Sequence, residues 1–218
     1  MIITPNSTLL FQGDSITDAS RSRENTVANS PSALGSGYVN LIAAQLLRSQ
    51  PAAGLQILNR GISGNRVVDL YGRWKVDGLN LQPDLISILI GVNDTWHGFM
   101  YNNGVEVERF ATIYRMLLEW TRQQLPDVQL VICEPFVLPC GVVTDAWMSD
   151  MAERQSVVRE LAVDFQAIFV PFQTAFNTAM QDAPAAYWAQ DGVHPTPAGH
   201  QLMADLWLQS VTTSPISN

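Results

Sequence analysis

The chain has 218 residues, of which 47% are apolar and 15% are charged, so it can bury a substantial core and lacks the composition of a disordered protein. Its net charge of −8 disfavours nucleic acid and anionic membranes as partners. The length predicts one domain, 1–218, and no apolar run reaches the roughly 20 residues of a membrane-spanning helix.

Five short β-rich runs alternate with helical patterns, which is typical of βαβ units and a parallel sheet. Their nearly continuous apolar character is expected of strands covered on both faces. Right-handed crossovers then favour the flavodoxin-like strand order 2-1-3-4-5. The predicted strands are 8–12, 55–59, 85–90, 128–133 and 167–170.

The clearest helical pattern covers 105–122, where apolar residues recur at the spacing of one buried stripe. The last predicted helix has the best start signal in the chain. Thr196 can cap its first turn, and Pro197 occupies a position where a missing N–H group costs nothing. An apolar face over 202–207 is expected to dock this helix on the sheet, which places the residues before Thr196 close to the domain body.

Loops of turn residues follow the first three predicted strands, at 13–17, 61–65 and 91–94. In the order 2-1-3-4-5 the first strand neighbours the second and third, so these loops are expected to meet in one crevice. Taken alone, Gly13-Asp14-Ser15 is also compatible with an ordinary tight turn that caps a helix. The three loops together therefore indicate where a functional site is expected.

The chain holds three histidines, at positions 97, 194 and 200. Asp191 precedes His194 by three residues in a turn, so its carboxylate can accept a hydrogen bond from one ring nitrogen while the other faces a serine hydroxyl. The alternative is that both residues only cap the last helix. His97 follows the third predicted strand and is the reserve candidate, whereas His200 is expected to be structural or surface-exposed.

An acyl-transfer site also needs hydrogen bond donors for the oxyanion that forms on the substrate. The predicted crevice offers the backbone N–H groups of Ser15 and Gly64 and the side-chain amide of Asn93. Each has a purely structural alternative, because Asn93 can stabilise a turn and Gly64 can simply permit a positive φ. Their occurrence at three neighbouring strand ends favours the catalytic interpretation.

The motif 13–17, then Gly64, Asn93, and Asp191 with His194 resemble the four ordered blocks of the SGNH (GDSL-like) hydrolases. The resemblance extends over about 9–208. It implies a three-layer α/β/α sandwich and hydrolysis of esters or thioesters without a metal or a cofactor. It also implies a triad of Ser15, His194 and Asp191, with an oxyanion hole formed by Ser15, Gly64 and Asn93.

The stretches 13–18, 34–38, 61–65 and 91–96 are similar to bacterial acetyl xylan esterases, which remove acetyl groups from xylose units and are often homo-oligomers. The resemblance therefore implies a small acetylated carbohydrate as substrate, xylooligosaccharide being expected, and self-association of the chain. One departure is Gly192, which leaves the geometry of the Asp191 turn open.

Three aromatic residues flank the predicted site: Trp96 follows Asn93, and Tyr187 and Trp188 precede Asp191. Flat rings can stack on the apolar faces of sugar rings, so these residues are candidates for substrate binding. They are equally compatible with a role in the core or in a subunit contact.

Other functions are less well supported. A thioesterase or lysophospholipase would need a long apolar acyl groove, and no Leu- and Phe-rich lid insertion is apparent. A carbohydrate-binding relative without activity is disfavoured by the intact candidate triad. A nucleotide-binding protein is disfavoured by the acidic Asp14 in the first loop and by the absence of glycine-rich phosphate-binding motifs.

A cytoplasmic location is expected, since 1–6 show no signal-peptide pattern. The two cysteines, Cys133 and Cys140, have no metal-binding or redox spacing and are expected to be unpaired structural thiols in a reducing compartment.

Overall fold

The computed structural model describes residues 3–213, which form an α/β domain around one five-stranded parallel sheet. The strand order is 2-1-3-4-5, as predicted. The observed strands lie close to their predicted positions: β1 (Thr8–Gly13), β2 (Gln56–Asn59), β3 (Leu85–Leu89), β4 (Gln129–Cys133) and β5 (Ile168–Val170).

Alternate side chains of each strand enter two separate apolar cores. Leu9 and Phe11 of β1 belong to one core, while Leu10 belongs to the other. The same alternation occurs in β3, which pairs with β1 in the register Leu9 to Leu85. Because successive strand residues point to opposite faces, covering both faces requires apolar residues at nearly every position. This is why the strands read as continuous apolar runs.

Ten helices and one short 3-10 helix are found among residues 3–213, and none of the helices is long and apolar enough to cross a membrane. They are α1 (Ser15–Asp18), α2 (Pro31–Leu34), α3 (Tyr38–Ser49), α4 (Val67–Asp77), a 3-10 helix (Leu79–Leu81), α5 (Val92–Tyr101), α6 (Val107–Gln124), α7 (Asp145–Asp164), α8 (Phe172–Ala179), α9 (Ala185–Trp188) and α10 (Pro197–Thr213).

The helices cover both faces of the sheet, which confirms the three-layer α/β/α sandwich. One core contains side chains of α3, α8 and α10, and the other contains side chains of α4, α6 and α7. Each core includes a fully buried tryptophan whose indole N–H is satisfied. Trp207 donates to Ser87 Oγ at 2.9 Å, and Trp74 donates to Thr121 Oγ1 at 2.9 Å.

The helix predicted over 105–122 begins and ends two residues later, as Val107–Gln124. Val105 is excluded from it because its backbone is used elsewhere. Its N–H donates to Asp94 O at 3.3 Å, and its carbonyl accepts a hydrogen bond from Arg154 at 2.7 Å. The last helix begins at Pro197 as predicted, and the Thr196 hydroxyl accepts a hydrogen bond from Gly199 N.

Candidate active site

The loops that follow β1, β2 and β3 meet beyond the carboxyl ends of these strands, as expected from the strand order. Ser15 is the first residue of α1, and Asp14 caps this helix by accepting a hydrogen bond from Ile16 N. Asn93 is the second residue of α5, directly after β3. The fold thus places a serine hydroxyl and an amide at neighbouring strand ends.

The Asp191 turn before α10 brings His194 to Ser15. Ser15 Oγ lies 2.9 Å from His194 Nε2, and His194 Nδ1 lies 2.6 Å from Asp191 Oδ2. The His194 side chain is 45% exposed, so a substrate can approach it. Burial would raise the pKa of Asp191, but hydrogen bonds from the side chain and backbone of His194 and from Val193 outweigh it and lower that pKa. Asp191 is therefore an ionised acceptor for His194.

The geometry of this turn depends on Gly192. Asp191 Oδ1 accepts hydrogen bonds from Val193 N at 2.9 Å and His194 N at 2.7 Å. Gly192 has a φ of +84°, and a Cβ atom there would lie 2.4 Å from Cys140 O. Only glycine fits such a backbone conformation and such a close approach. Gly192 therefore determines the backbone conformation of the Asp191 turn, which could not be predicted from the sequence.

The segment after β4 supports the same turn from outside. Leu138 N donates to Gly192 O at 2.8 Å, and Val142 N donates to Asp191 O at 3.1 Å. Cys140 is a free thiol, as expected, and its Sγ donates to Ala189 O. Sequence reasoning missed this support, because nothing in the residue types of the segment indicates which turn it contacts.

The three candidate oxyanion donors lie in the loops at this edge of the sheet. Within residues 3–213, the backbone N–H groups of Ser15 and Gly64 have no protein acceptor. Asn93 Nδ2 donates to Asn65 O at 3.1 Å, which leaves its second hydrogen available. Gly64 has a φ of +84°, whereas a Cβ atom there would meet no atom within 4 Å, so the backbone conformation alone requires glycine.

Two largely buried charged side chains hold these loops together. Arg73 of α4 donates to Gly13 O at 3.1 Å and to Asn65 Oδ1 at 2.7 Å, which joins the first loop to the second. Asp18, 3% exposed, accepts a hydrogen bond from Ser63 N at 3.0 Å. Asp18 belongs to a motif noted in the sequence, but Arg73 was missed because it lies in the middle of an ordinary helix.

A serine, an imidazole and a carboxylate in series, with free N–H groups nearby, can perform acyl transfer. The model of the GDSL-like lipase/acylhydrolase family matches residues 11–202. The chain belongs to this family. It is consequently a carboxylic ester hydrolase, as predicted from the sequence motifs.

Similarity to individual proteins is consistent with membership of this family. The chain is 35% identical over 215 residues to an acetylxylan esterase of Geobacillus stearothermophilus, covering 97% of this chain and 96% of the relative. A structure from Parabacteroides merdae, described as a GDSL-like lipase, has a TM-score of 0.93 at 44% identity, covering 97% of this chain and 98% of that one. Axe2, an acetylxylan esterase from Geobacillus stearothermophilus, has a TM-score of 0.89 at 33% identity, covering 98% of each chain.

The other two histidines of this GDSL-like hydrolase have different surroundings. His97 packs against Tyr101, with ring centroids 5.5 Å apart. Burial and the nearby Arg66 lower the pKa of His97. His200 Nδ1 accepts a hydrogen bond from Tyr38 N at 3.2 Å, and burial lowers the pKa of His200 to about 4. His200 is thus structural, and among the three only His194 contacts Ser15.

The carboxylate of Asp94 accepts a hydrogen bond from a neighbouring helix. It accepts a hydrogen bond from Val67 N, at the start of α4, at 3.1 Å. Burial raises the pKa of Asp94 to about 7. The Asp94 carboxylate therefore links α5 to α4. It does not orient His97 in the way that Asp191 orients His194.

Of the three candidate aromatic residues, Trp96 lies at the site. Its ring centroid is 5.7 Å from that of His194. Tyr187 and Trp188 pack on each other, with centroids 5.0 Å apart, and the Trp188 indole donates to Ala183 O. Among the described contacts, neither reaches Ser15 or His194, so their role in substrate binding stays a prediction.

Among residues 3–213, no three His, Cys, Asp or Glu side chains are grouped in a way that could hold a metal ion.

Asp14, directly before Ser15, is buried with 1% of its surface exposed. Its Oδ1 accepts a hydrogen bond from Ile16 N at 3.0 Å, while its Oδ2 has no hydrogen bond partner within residues 3–213. Burial raises the pKa of Asp14 from 3.8 to about 7. The folded protein thus keeps this carboxyl protonated at a pH where the unfolded chain has lost the proton.

Asp14→Asn is expected to change how stability depends on pH. Because the folded-state pKa is raised, Asp14 lowers the free energy of unfolding as the pH rises from about 4 to about 7. An asparagine cannot ionise. The free energy of unfolding of Asp14→Asn minus that of wild type should therefore increase by about 2 kcal/mol between pH 5 and pH 8, as measured by urea titrations.

Asp94 is present in both proteins, so its own titration largely cancels from this comparison. The unpaired amide nitrogen introduced by the variant has an effect that does not depend on pH. Parallel curves of unfolding free energy against pH for the two proteins would contradict the prediction.

Proposed function

We propose that this chain is a serine esterase that removes acetyl groups from acetylated carbohydrate, with xylooligosaccharides as the first candidates. Ser15 is the nucleophile, His194 the general base and Asp191 the residue that orients His194. The observation that carries the proposal is the line of short contacts from Ser15 Oγ through the His194 ring to Asp191 Oδ2, at 2.9 and 2.6 Å.

The reaction proceeds in two steps. Ser15 Oγ attacks the acetyl carbonyl while His194 Nε2 accepts its proton, and the oxyanion is bound by the N–H groups of Ser15 and Gly64 and by Asn93 Nδ2. His194 then gives the proton to the departing sugar oxygen. Water, deprotonated by His194, attacks the acetyl-enzyme and releases acetate. Protein groups and water suffice, so no cofactor is invoked.

The relatives support both the residues and the substrate class. Axe2 is described as an acetyl-xylooligosaccharide esterase. Solved structures of its catalytic mutants replace a serine at 15, an aspartate at 191 and a histidine at 194. This chain has the same residue types at the same three numbers. The agreement favours Ser15, Asp191 and His194 over any set that would include His97.

A thioesterase or lysophospholipase is the main alternative within the same fold. Such an enzyme needs an apolar groove for a long acyl chain. The cavity of about 380 Å³ beside His194 is instead lined by Gln190, Asp191 and the residues 194–197. Among residues 3–213, no leucine or phenylalanine side chain belongs to this lining. The single domain 1–218, a cytoplasmic location and assembly into a homo-oligomer stay predictions from the sequence.

The first test is the dependence of kcat/KM on acyl length, with 4-nitrophenyl esters from acetyl to octanoyl and with acetylated xylooligosaccharide. We expect kcat/KM to fall at least about tenfold between acetyl and octanoyl, together with release of acetate from the sugar. Ser15→Ala provides the blank. A maximum at longer chains, without release of acetate from the sugar, would assign the enzyme to lipid or thioester substrates.

A further inference from the structure

A second cavity, of about 330 Å³, lies beside α5 and is lined by residues of α5, the loop after it and α7. We call it the α5 cavity. Phe99, Asp150 and Arg154 contribute to its lining. The proposed deacetylation steps use none of these three residues.

Hydrogen bonds hold the polar side chains of the α5 cavity in place. Arg154 is 2% exposed, and its Nε donates to Asp150 Oδ2 and to Thr95 Oγ1, both at 3.0 Å. Arg154 Nη1 is buried and has no partner within residues 3–213. The hydrogen bonds from Arg154 hold Asp150, whose side chain is 26% exposed, in a fixed position, so its carboxylate can accept a hydrogen bond from a ligand hydroxyl.

The charges around the α5 cavity exclude an anionic ligand. Among the described residues, Arg154 is the one cation of this lining and is already paired with Asp150, and Glu106 is paired with Arg109 outside the lining. A carboxylate or phosphate would meet this acidic lining without a free positive charge. A neutral polyol is suited to it, because hydroxyl groups can donate to the carboxylate oxygens of the lining.

An aromatic series connects the α5 cavity with the candidate active site. The Trp96 ring lies beside His194, and the Trp147 ring packs against Trp96 with centroids 5.4 Å apart. Phe99 then stacks on Trp147, with centroids 5.7 Å apart and an angle of 23° between the ring planes. Phe99 remains 48% exposed and lines the cavity.

From this arrangement we infer that the α5 cavity is a distal sugar subsite, which binds a unit of the oligosaccharide away from the one that loses its acetyl group. Phe99 is the stacking platform, Asp150 accepts hydrogen bonds from sugar hydroxyls, and Arg154 holds Asp150 in position. The exposed ring, the organised polar lining and the acidic charge together match a neutral sugar. The inference rests on the proposed function and adds a preference for oligomers over a single sugar.

The test compares kcat/KM for acetylated xylotriose with kcat/KM for 4-nitrophenyl acetate, which is too small to span both sites. Phe99→Ala should lower the ratio of the two values about tenfold, since one aromatic contact contributes about that much in affinity. Phe99→Tyr retains a flat ring and should keep the ratio close to that of wild type. Met100→Ala is the matched control, since Met100 is 53% exposed and outside the cavity lining.

The outcomes separate the two proposals. If wild type releases acetate from acetylated xylotriose and Phe99→Ala leaves the ratio unchanged, the distal subsite is wrong and the esterase proposal stands. If wild type hydrolyses 4-nitrophenyl acetate but releases no acetate from any acetylated xylose or xylooligosaccharide, both proposals are overturned. A reduced ratio in Phe99→Ala with restoration in Phe99→Tyr supports the subsite.

Discussion

Replacing Ser15 with alanine is expected to lower kcat/KM for 4-nitrophenyl acetate by about 10⁴- to 10⁶-fold. The variant lacks the oxygen that lies 2.9 Å from His194 Nε2, so no acyl-enzyme can form. Any remaining rate would come from the oxyanion donors and from substrate binding alone. Rates of 4-nitrophenol release by the variant and by wild type provide the measurement.

The fold should tolerate this change, because the hydroxyl is at the surface end of α1 and Asp14 still caps the helix. Thermal unfolding of the variant should therefore match wild type. Ser149→Ala is the matched control, since Ser149 is exposed and its hydroxyl bonds only to Asp145 O of its own helix. A serine-directed phosphonate should label Ser15 in wild type. Retained turnover in Ser15→Ala would contradict the proposed mechanism.

Asp191→Asn has the second largest expected effect, a loss of about 10⁴-fold in kcat. Asparagine can still accept the hydrogen bonds from Val193 N and His194 N through its Oδ1. At the position of Asp191 Oδ2 it places an NH₂ group, which donates to His194 Nδ1. The ring proton then has to reside on Nε2, where it faces Ser15 and removes the base.

The kinetics of Asp191→Asn should be compared with those of Asp182→Asn, which changes an exposed carboxylate elsewhere on the surface. Circular dichroism and thermal unfolding are expected to be close to wild type for both, because the change at 191 is isosteric. A loss smaller than about tenfold in Asp191→Asn would show that His194 does not depend on this carboxylate for its orientation.

The sequence predicts those parts of the molecule that are local or periodic. Both faces of the sheet are covered, so β1 and β3 appear as continuous apolar runs and could be located to within about a residue. The Asp191 turn is also local, because the acid and the base are three residues apart. The strand order 2-1-3-4-5 is the simplest arrangement of five parallel strands with right-handed crossovers, so its prediction needs no knowledge of side-chain contacts.

Contacts between distant parts of the chain were not predicted. Arg73 joins two loops although its residue type and its place in α4 are ordinary. The support of the Asp191 turn by Leu138 and Val142 uses backbone groups, which every residue possesses. The Trp96 ring contacts His194, whereas the rings of Tyr187 and Trp188 contact each other, and the residue types alone do not indicate this difference in packing.

By itself, the sequence determined the fold class and the order of the strands, and it singled out candidate residues for acyl transfer, since these follow from periodicity, the crossover rule, spacing and residue chemistry. Only the tertiary structure decided that Asp14 is buried with a raised pKa, that Gly192 is required beside Cys140, and that the α5 cavity has an unused donor at Arg154. Burial and partner choice are properties of the packed molecule, because they depend on side chains that are brought together from remote positions.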